Sequence, residues 1–316
     1  MVEINSRKAA IVGCGFVGSA SAFALMQSGL FSEMVLIDAS KEKAEGEALD
    51  IAHGLPFAKP AQIYAGDYAD ISDAAVIIVS AGAGQKPGET RLDLVRKNVA
   101  IFGSVIPQIA KYNKEGILLV VANPVDILTY TAAKLSGFPS NRVFGSGTVL
   151  DSARLKYLLG EHLEVDPRSV HAFVIGEHGD SEIAAWSSAN VSGVPLQEFC
   201  EMRGHFNHHE AMQAIADDVK NSAYEIIAKK QATYYGIAMS VKRICEAIVR
   251  DEKSVLPVSS IQKGDYGISD VALSMPAIVG KHGVEALVPI ELNKQETEKL
   301  QHSAATLKAV IKDILD

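Results

Sequence analysis

The strongest constraint in this sequence is a glycine turn set between an apolar run and a helical pattern. Residues 9–12 (Ala-Ala-Ile-Val) lead into Gly13-Cys14-Gly15-Phe16-Val17-Gly18, and a helical pattern runs from Phe16 to Leu30. A second apolar run, Met34-Val35-Leu36-Ile37, closes on Asp38 and passes into a helix-favouring stretch at 41–52. Glycine pairs alone punctuate many turns; the order strand, turn, helix, strand, acid gives this spacing its meaning. In such a unit the first glycine permits the tight turn and the second lets the backbone approach a pyrophosphate. The third lets helix and strand pack closely, with the anion at the helix N-terminus. Asp38 can accept from both ribose hydroxyls and repels a 2′-phosphate, so the unit predicts NAD rather than NADP. Cofactor contacts are expected at Gly13, Gly15, Val17, Gly18, Asp38, Lys43, Tyr68, Gly82, Ala83, Ser104, Ala122, Asn123 and Ser146.

Further apolar runs at 75–79, 117–122 and 142–144 alternate with helical stretches at 91–113 and 125–135. Near-continuous Val/Ile runs separated by helices describe a parallel sheet covered on both faces. The expected fold class is α/β: an N-terminal Rossmann doubly wound parallel sheet with a C-terminal α+β substrate domain. The texture changes after Gly147, which places the division at 1–147 for the NAD-binding part and 148–316 for the catalytic part. The second part reads as helix from Thr148 to His162, strand from Ser169 to Ile175, and helices at 209–230 and 235–250. Strand candidates at 255–260 and 271–278 and a charged helix from Asn293 complete it. A chain of 316 residues, 48% of them hydrophobic, has material for two joined cores.

The net charge is −8 and Lys and Arg form no dense block, which excludes the electrostatic footprint of nucleic acid or of an anionic membrane surface. No uncharged apolar stretch approaches the roughly 18 residues of a membrane span. The apolar run before Gly13 is four residues, short for an export signal. Cys14, Cys200 and Cys245 are widely spaced, and a disulfide at Cys14 would block the glycine turn, so reduced thiols and a cytoplasmic location are expected.

Ile175-Gly176-Glu177-His178-Gly179-Asp180-Ser181 places a histidine between glycines just after an apolar run, where an exposed imidazole is easily presented to a ligand. Most lone histidines are solvated or satisfied by one hydrogen bond, so partners decide the matter. Asp151 and Arg154 stand at i and i+3 on one helix face, either as a plain intrahelical salt bridge or as a carboxylate and guanidinium aimed at a ligand. The stretch from Ala81 to Arg91, with small residues and Pro87, reads as a hinged lid carrying Gln85 and Arg91 over the cofactor. Asn123, at the end of another strand, supplies an amide where open parallel sheets bind ligands.

With these segments side by side, the chain resembles the lactate/malate dehydrogenase family, and within it the bacterial-type L-lactate dehydrogenases, over essentially its whole length. The matching motifs are residues 13–18, Gly88-Glu89-Thr90-Arg91-Leu92-Asp93-Leu94-Val95, Ala122-Asn123-Pro124-Val125-Asp126-Ile127-Leu128, Gly145-Ser146-Gly147-Thr148-Val149-Leu150-Asp151-Ser152-Ala153-Arg154 and Gly176-Glu177-His178-Gly179-Asp180. The resemblance implies reversible reduction of pyruvate to L-lactate with NADH. It makes His178 the proton donor, Asp151 its orienting carboxylate and Arg154 the bidentate clamp on the substrate carboxylate. Arg91 would stabilise charge developing on the carbonyl oxygen, and Gln85, Asn123 and Thr233 would complete the pocket. It also implies a homotetramer built from two-fold interfaces.

Gln85 separates the substrates. Malate enzymes resemble this chain but carry arginine there, whereas a neutral amide leaves a second, buried carboxylate uncompensated at a cost of about 3–5 kcal/mol, which favours pyruvate. Lys86 nearby is a complication, and a malate-type 2-hydroxy-acid oxidoreductase is the alternative. Some bacterial relatives bind fructose 1,6-bisphosphate between subunits through an arginine and a histidine. His171 matches the histidine, and Lys156 keeps the arginine's charge without its planar fork. An activator site there and a solvated lysine beside a strand-end histidine both stand open. The cluster His205-Phe206-Asn207-His208-His209 lacks a second ligand pair, so no metal is expected. An NAD-dependent glycoside hydrolase and a non-catalytic NAD sensor share the opening fold. The segments around Asn123, Asp151 and His178 argue against the first, and the intact set of His178, Asp151, Arg154 and Arg91 against the second.

Overall fold

The computed structural model describes residues 3–84 and 88–315. The first half alternates β1 (Asn5–Val12), α1 (Phe16–Ser28), β2 (Glu33–Ile37), α2 (Lys41–Ala52), β3 (Gln62–Ala65), β4 (Ala74–Val79), α3 (Arg91–Tyr112), β5 (Ile117–Val120), α4 (Val125–Ser136) and β6 (Val143–Gly145). The second half runs α5 (Val149–Leu163), β7 (Val170–His171), β8 (Val174–Ile175), β9 (Ile183–Ala184), β10 (Asn190–Val191), β11 (Val194–Pro195), α6 (Leu196–Met202), α7 (His208–Lys230) and α8 (Tyr235–Val249). It ends with β12 (Ser254–Lys263), β13 (Ser269–Gly280), β14 (Gly283–Leu287) and α9 (Lys294–Leu315).

The main sheet has nine strands in the order β14-β13-β12-β6-β5-β4-β1-β2-β3. Strands β1 to β6 are parallel, and β12, β13 and β14 continue the same sheet antiparallel, joined through Ser259 opposite Gly145. Successive residues of a strand point to opposite faces. Ala9, Ile11, Val76, Ile78 and Leu119 therefore serve one core, while Ala10, Val12, Ile77, Val79, Leu118 and Val120 serve the other. This double duty is why the strands read as unbroken apolar runs. The first core is closed by Ala22, Leu25 and Met26 of α1 with Val241, Ile244, Cys245 and Ile248 of α8. The second is closed by Phe102, Ile106 and Ile109 of α3 with Leu128 and Ala132 of α4. The two halves thus share one sheet, and a helix from the second half completes a core of the first.

The single strand expected at 169–175 is two short strands in different sheets: His171 pairs with Asn190 of β10, and Ile175 with Ile183 of β9. Strands β3 and β14 lie at the two sheet edges and mark no apolar run in the sequence. Parallel topology sends the C-terminal ends of β1, β2, β4, β5 and β6 to one edge of the sheet, where open α/β sheets bind ligands. Gly13, Asp38, Gly82 and Ala83, Ala122 and Asn123, and Ser146 all follow those ends.

Candidate active site

The three glycines of the turn differ in what requires them. Gly13 has φ +102, and a Cβ there would lie 2.4 Å from the Ala81 nitrogen. A Cβ on Gly18 would lie 1.9 Å from the Gly13 oxygen. Both are demanded by the chain's own packing. A Cβ on Gly15 would meet nothing within 4 Å. The second glycine is therefore not needed by the fold, and it leaves open space at the start of α1, whose N-cap makes no side-chain hydrogen bond, the arrangement a phosphate requires. Asp38 holds its carboxylate at this turn by accepting from Cys14 N at 2.7 Å and Ser40 N at 3.0 Å. The donor set fits a dinucleotide.

The neighbouring loop is tied down from behind. Ser80 donates to the Gly13 oxygen at 2.7 Å, and Ser146 N donates to the Val120 oxygen at 2.8 Å. Asn98 of α3 accepts from Ala83 N at 2.8 Å and donates to the backbone oxygens of Ala83 and Asn123 at 3.2 and 2.7 Å. Gly82 sits over Ala122 and this asparagine. Val17 packs on the first core and Tyr68 on the second, where burial raises the phenol pKa. Lys43 is exposed in the first turn of α2, with its N–H on the Ser40 cap. Ser104 is exposed on α3, donates to the Ile101 oxygen at 2.8 Å, and lies about 9 Å along the helix from Asn98.

At the same edge, Asp151 joins two cations. Its Oδ1 accepts from Arg154 at 2.9 Å and its Oδ2 lies 2.6 Å from His178 Nδ1, so the intrahelical pair forms and the same carboxylate also reaches the histidine. The Asp151 side chain is 2% exposed, that of Arg154 13% and that of His178 23%. The imidazole is thus half-buried rather than the exposed group expected from its loop. Burial draws its pKa down, but the charge and hydrogen bond of Asp151 outweigh that and bring it up to about 9. The Asp151 carboxyl is held below its ordinary value because the two cations overcome its burial.

The loop around His178 is fixed by groups that sequence reasoning passed over. Asp126, buried on α4, accepts from His178 N at 2.7 Å and from Ser259 Oγ at 2.6 Å. Burial raises its carboxyl to about 6 against those two hydrogen bonds. Ser303 of α9 accepts from Glu177 N at 2.9 Å, and Thr148, the N-cap of α5, and Ser152 within it bond the backbone of Val174. Arg91 is the first residue of α3, behind a Thr90/Asp93 capping box. Its guanidinium donates to Glu177 Oε1 at 3.0 Å and to Asp180.

Thr233 is half-buried between α7 and α8, and among the described residues no hydrogen bond joins its side chain to this cluster. The next residue, Tyr234, stacks on Phe16 of the glycine turn with ring centroids 5.3 Å apart. Gln85, Lys86 and Pro87 lie outside the described residues. Of the pair considered for an activator, Lys156 is half-buried with its ammonium 5.7 Å from the Phe173 ring centroid, while His171 is exposed on β7. Burial, then Arg243, lowers the Lys156 pKa. The 205–209 histidines pack ring against ring, His205 on His162 and His208 on His209, each pair at 4.4 Å.

Comparison with known proteins matches both halves. The sequence profile of the lactate/malate dehydrogenase NAD binding domain matches residues 7–145, and that of the family's alpha/beta C-terminal domain matches 148–316. The chain is 54% identical to the L-lactate dehydrogenase of Acetivibrio thermocellus, covering 98% of this chain and 97% of that one. It is 54% identical to the L-lactate dehydrogenase of Thermoanaerobacterium saccharolyticum, covering 97% and 99%. Among solved structures, the minor L-lactate dehydrogenase of Enterococcus mundtii in ligands-bound form superimposes with a TM-score of 0.95 at 44% identity, covering 98% and 99%.

Proposed function

Because the chain belongs to the lactate/malate dehydrogenase family, we propose that it is an NAD-dependent L-lactate dehydrogenase that reduces pyruvate reversibly to L-lactate. Residues 1–147 hold the dinucleotide and residues 148–316 carry most of the catalytic groups. The observation that carries this reading is Asp151 bridging Arg154 and His178, a carboxylate clamp and a proton donor held by one buried anion.

NADH, when bound, supplies the hydride that the carbonyl carbon receives. Gly15 and the start of α1 take the pyrophosphate, Asp38 takes the ribose hydroxyls, and the loop around Gly82, Ala83, Ala122, Asn123 and Ser146 flanks the nicotinamide end. Val17, Lys43, Tyr68 and Ser104 complete the cofactor contacts. Arg154, with one N–H on Asp151, grips the substrate carboxylate with the rest of its fork. His178, its Nδ1 on Asp151, presents Nε2 to the carbonyl oxygen and gives up its proton there. Asp151 keeps that proton available near neutrality. Arg91 exchanges Glu177 and Asp180 for the carbonyl oxygen as the segment before α3 closes, excluding water and stabilising the developing charge. Asn123 and Thr233 complete the pocket, and the neutral amide of Gln85 is compatible with a substrate methyl group.

Pyruvate is favoured over oxaloacetate by the neutral side chain at position 85. Initial rates of NADH oxidation with each acid test this: pyruvate is expected to win by roughly two to three decades in kcat/KM, and equal rates would reassign the chain to the malate side. Assembly follows the family reading, a homotetramer, checked by sedimentation. The buried free cysteines Cys14, Cys200 and Cys245 suit a reducing cytoplasm. Fructose 1,6-bisphosphate is the candidate activator at Lys156 and His171. Support comes from the lysine's surroundings, where among the described residues no carboxylate pairs with it and Arg243 adds a like charge. A pyruvate saturation curve unmoved by millimolar effector dismisses that site.

A further inference from the structure

The loop that carries His178 also carries a carboxyl group with no task in the proposed chemistry. Glu182 is half-buried, and one of its oxygens, an oxygen of Asp151 and a ring nitrogen of His178 all lie within 4.8 Å of one another. Asp151 is committed to Arg154 and His178. Among the described residues Glu182 makes no hydrogen bond to either, so it acts on the pair through space. Its surroundings also include a cavity of about 870 Å³ between α7 and α9, lined by His208, Lys220, Lys299 and His302 among others.

Charges face this cluster from every element packed around it. Asp151 and Arg154 come from α5, Asp126 from α4, Arg91 from α3, Lys220 and His208 from α7, and Lys299 and His302 from α9, with Glu177 and Asp180 on the loop itself. Burial, and next the charge of Asp151, raise the Glu182 carboxyl to about 8. Around neutrality Glu182 keeps its proton, and the imidazolium is balanced by Asp151 with a smaller contribution from Asp126. As pH rises Glu182 ionises and lends the imidazolium a further anion.

We propose that Glu182 is a positioning residue for the proton of His178: a carboxyl group bordering the cavity between α7 and α9, whose negative charge holds the imidazole protonated and extends pyruvate reduction to alkaline conditions. Its proton leaves to water in that cavity and needs no passage through the substrate pocket. The inference rests on His178 as the proton donor.

The test is the pH dependence of kcat/KM in both directions for the full-length enzyme and its Glu182→Gln and Glu182→Asp variants. Pyruvate reduction needs the protonated imidazole and falls on the alkaline side; lactate oxidation needs the neutral one and rises there. Removing the charge lowers the proton affinity of His178. In Glu182→Gln both midpoints are therefore expected to move to lower pH together, by about one unit, a roughly tenfold loss of pyruvate reduction above the old midpoint. Glu182→Asp keeps the charge and is expected to keep the midpoints. A merely structural glutamate would lower kcat or Tm at every pH and leave the midpoints in place; that result in Glu182→Gln overturns the proposal. So does a Glu182→Asp profile identical to a shifted Glu182→Gln profile, since it ties the shift to side-chain length. His178→Asn is assayed alongside. If it abolishes both directions while Glu182→Gln leaves the midpoints unmoved, Glu182 loses its role and His178 keeps its own; if His178→Asn retains full activity, both readings fail.

Discussion

The glycine turn and the His178 cluster lie along the same sheet edge but are made in opposite ways. The turn comes from one βαβ unit, residues 5–38, and works mainly through backbone: two glycines that packing requires and one that opens on free space. The cluster draws side chains from α3, α4, α5, β12, α9 and the loop after β8, and works through charge. A site built from adjacent backbone is specified locally and is rigid in kind. A site built from distant charges depends on the whole chain, and its strength can be tuned by any group that faces it.

His178→Asn is expected to lower kcat/KM for pyruvate by roughly 10²–10⁴-fold, while a fluorescence titration finds NADH affinity unchanged; a parallel loss of cofactor binding would merge the two regions. Gln85→Arg should shift the ratio of oxaloacetate to pyruvate turnover by roughly two to three decades, again without effect on NADH. Asp151→Asn removes the main group opposing burial at His178, so pyruvate reduction, level up to about pH 9 in the wild type, should decline from below the ordinary histidine value. The loss at pH 8 should be roughly 10–100-fold. Stability carries the same sign. A raised histidine pKa contributes fully below the unfolded value of about 6.5 and is lost as pH rises through about 9. Urea unfolding at pH 6 and pH 10 should show that dependence shrink in the variant.

On the other side of the comparison, Gly18→Ala should cost about 1–3 kcal/mol of stability through its clash with Gly13. Gly15→Ala should leave stability within about 0.5 kcal/mol and weaken NADH binding alone; equal unfolding costs would show that both glycines serve only the turn. Ser303→Ala should cost about 1 kcal/mol of stability, from loss of the bond to Glu177 N.

The fold was legible where burial is two-sided. Val76, Ile77, Ile78 and Val79 are all buried, so β4 announces itself, whereas β3 buries only Ile63 and β14 only Gly283. The split of 169–175 was hidden because Val170, Ala172 and Val174 are all buried, a pattern that one strand or two would share. In the site, the glycine turn could be read from its spacing, while His178, Asp151 and Arg154 acquired roles only through resemblance, since no local pattern brings residues 151 and 178 together. Asn98 did leave a signal: it is a buried amide within the apolar stripe of Val95, Phe102, Ile106 and Ile109. Glu182 left none, because its carboxyl gains meaning only beside a side chain on α5.

The sheet that runs unbroken through both halves limits how this enzyme can be taken apart. Residues 1–147 alone would bare the sheet face and the side of α1 now covered by Val241, Ile244, Cys245 and Ile248, and that apolar surface would drive aggregation rather than leave a free-standing nucleotide binder. Altered specificity is therefore reachable by exchanging side chains within an intact chain, and a chimera cut at residue 147 has to match its partner along the β6–β12 seam and the α1–α8 contact before it can inherit any activity.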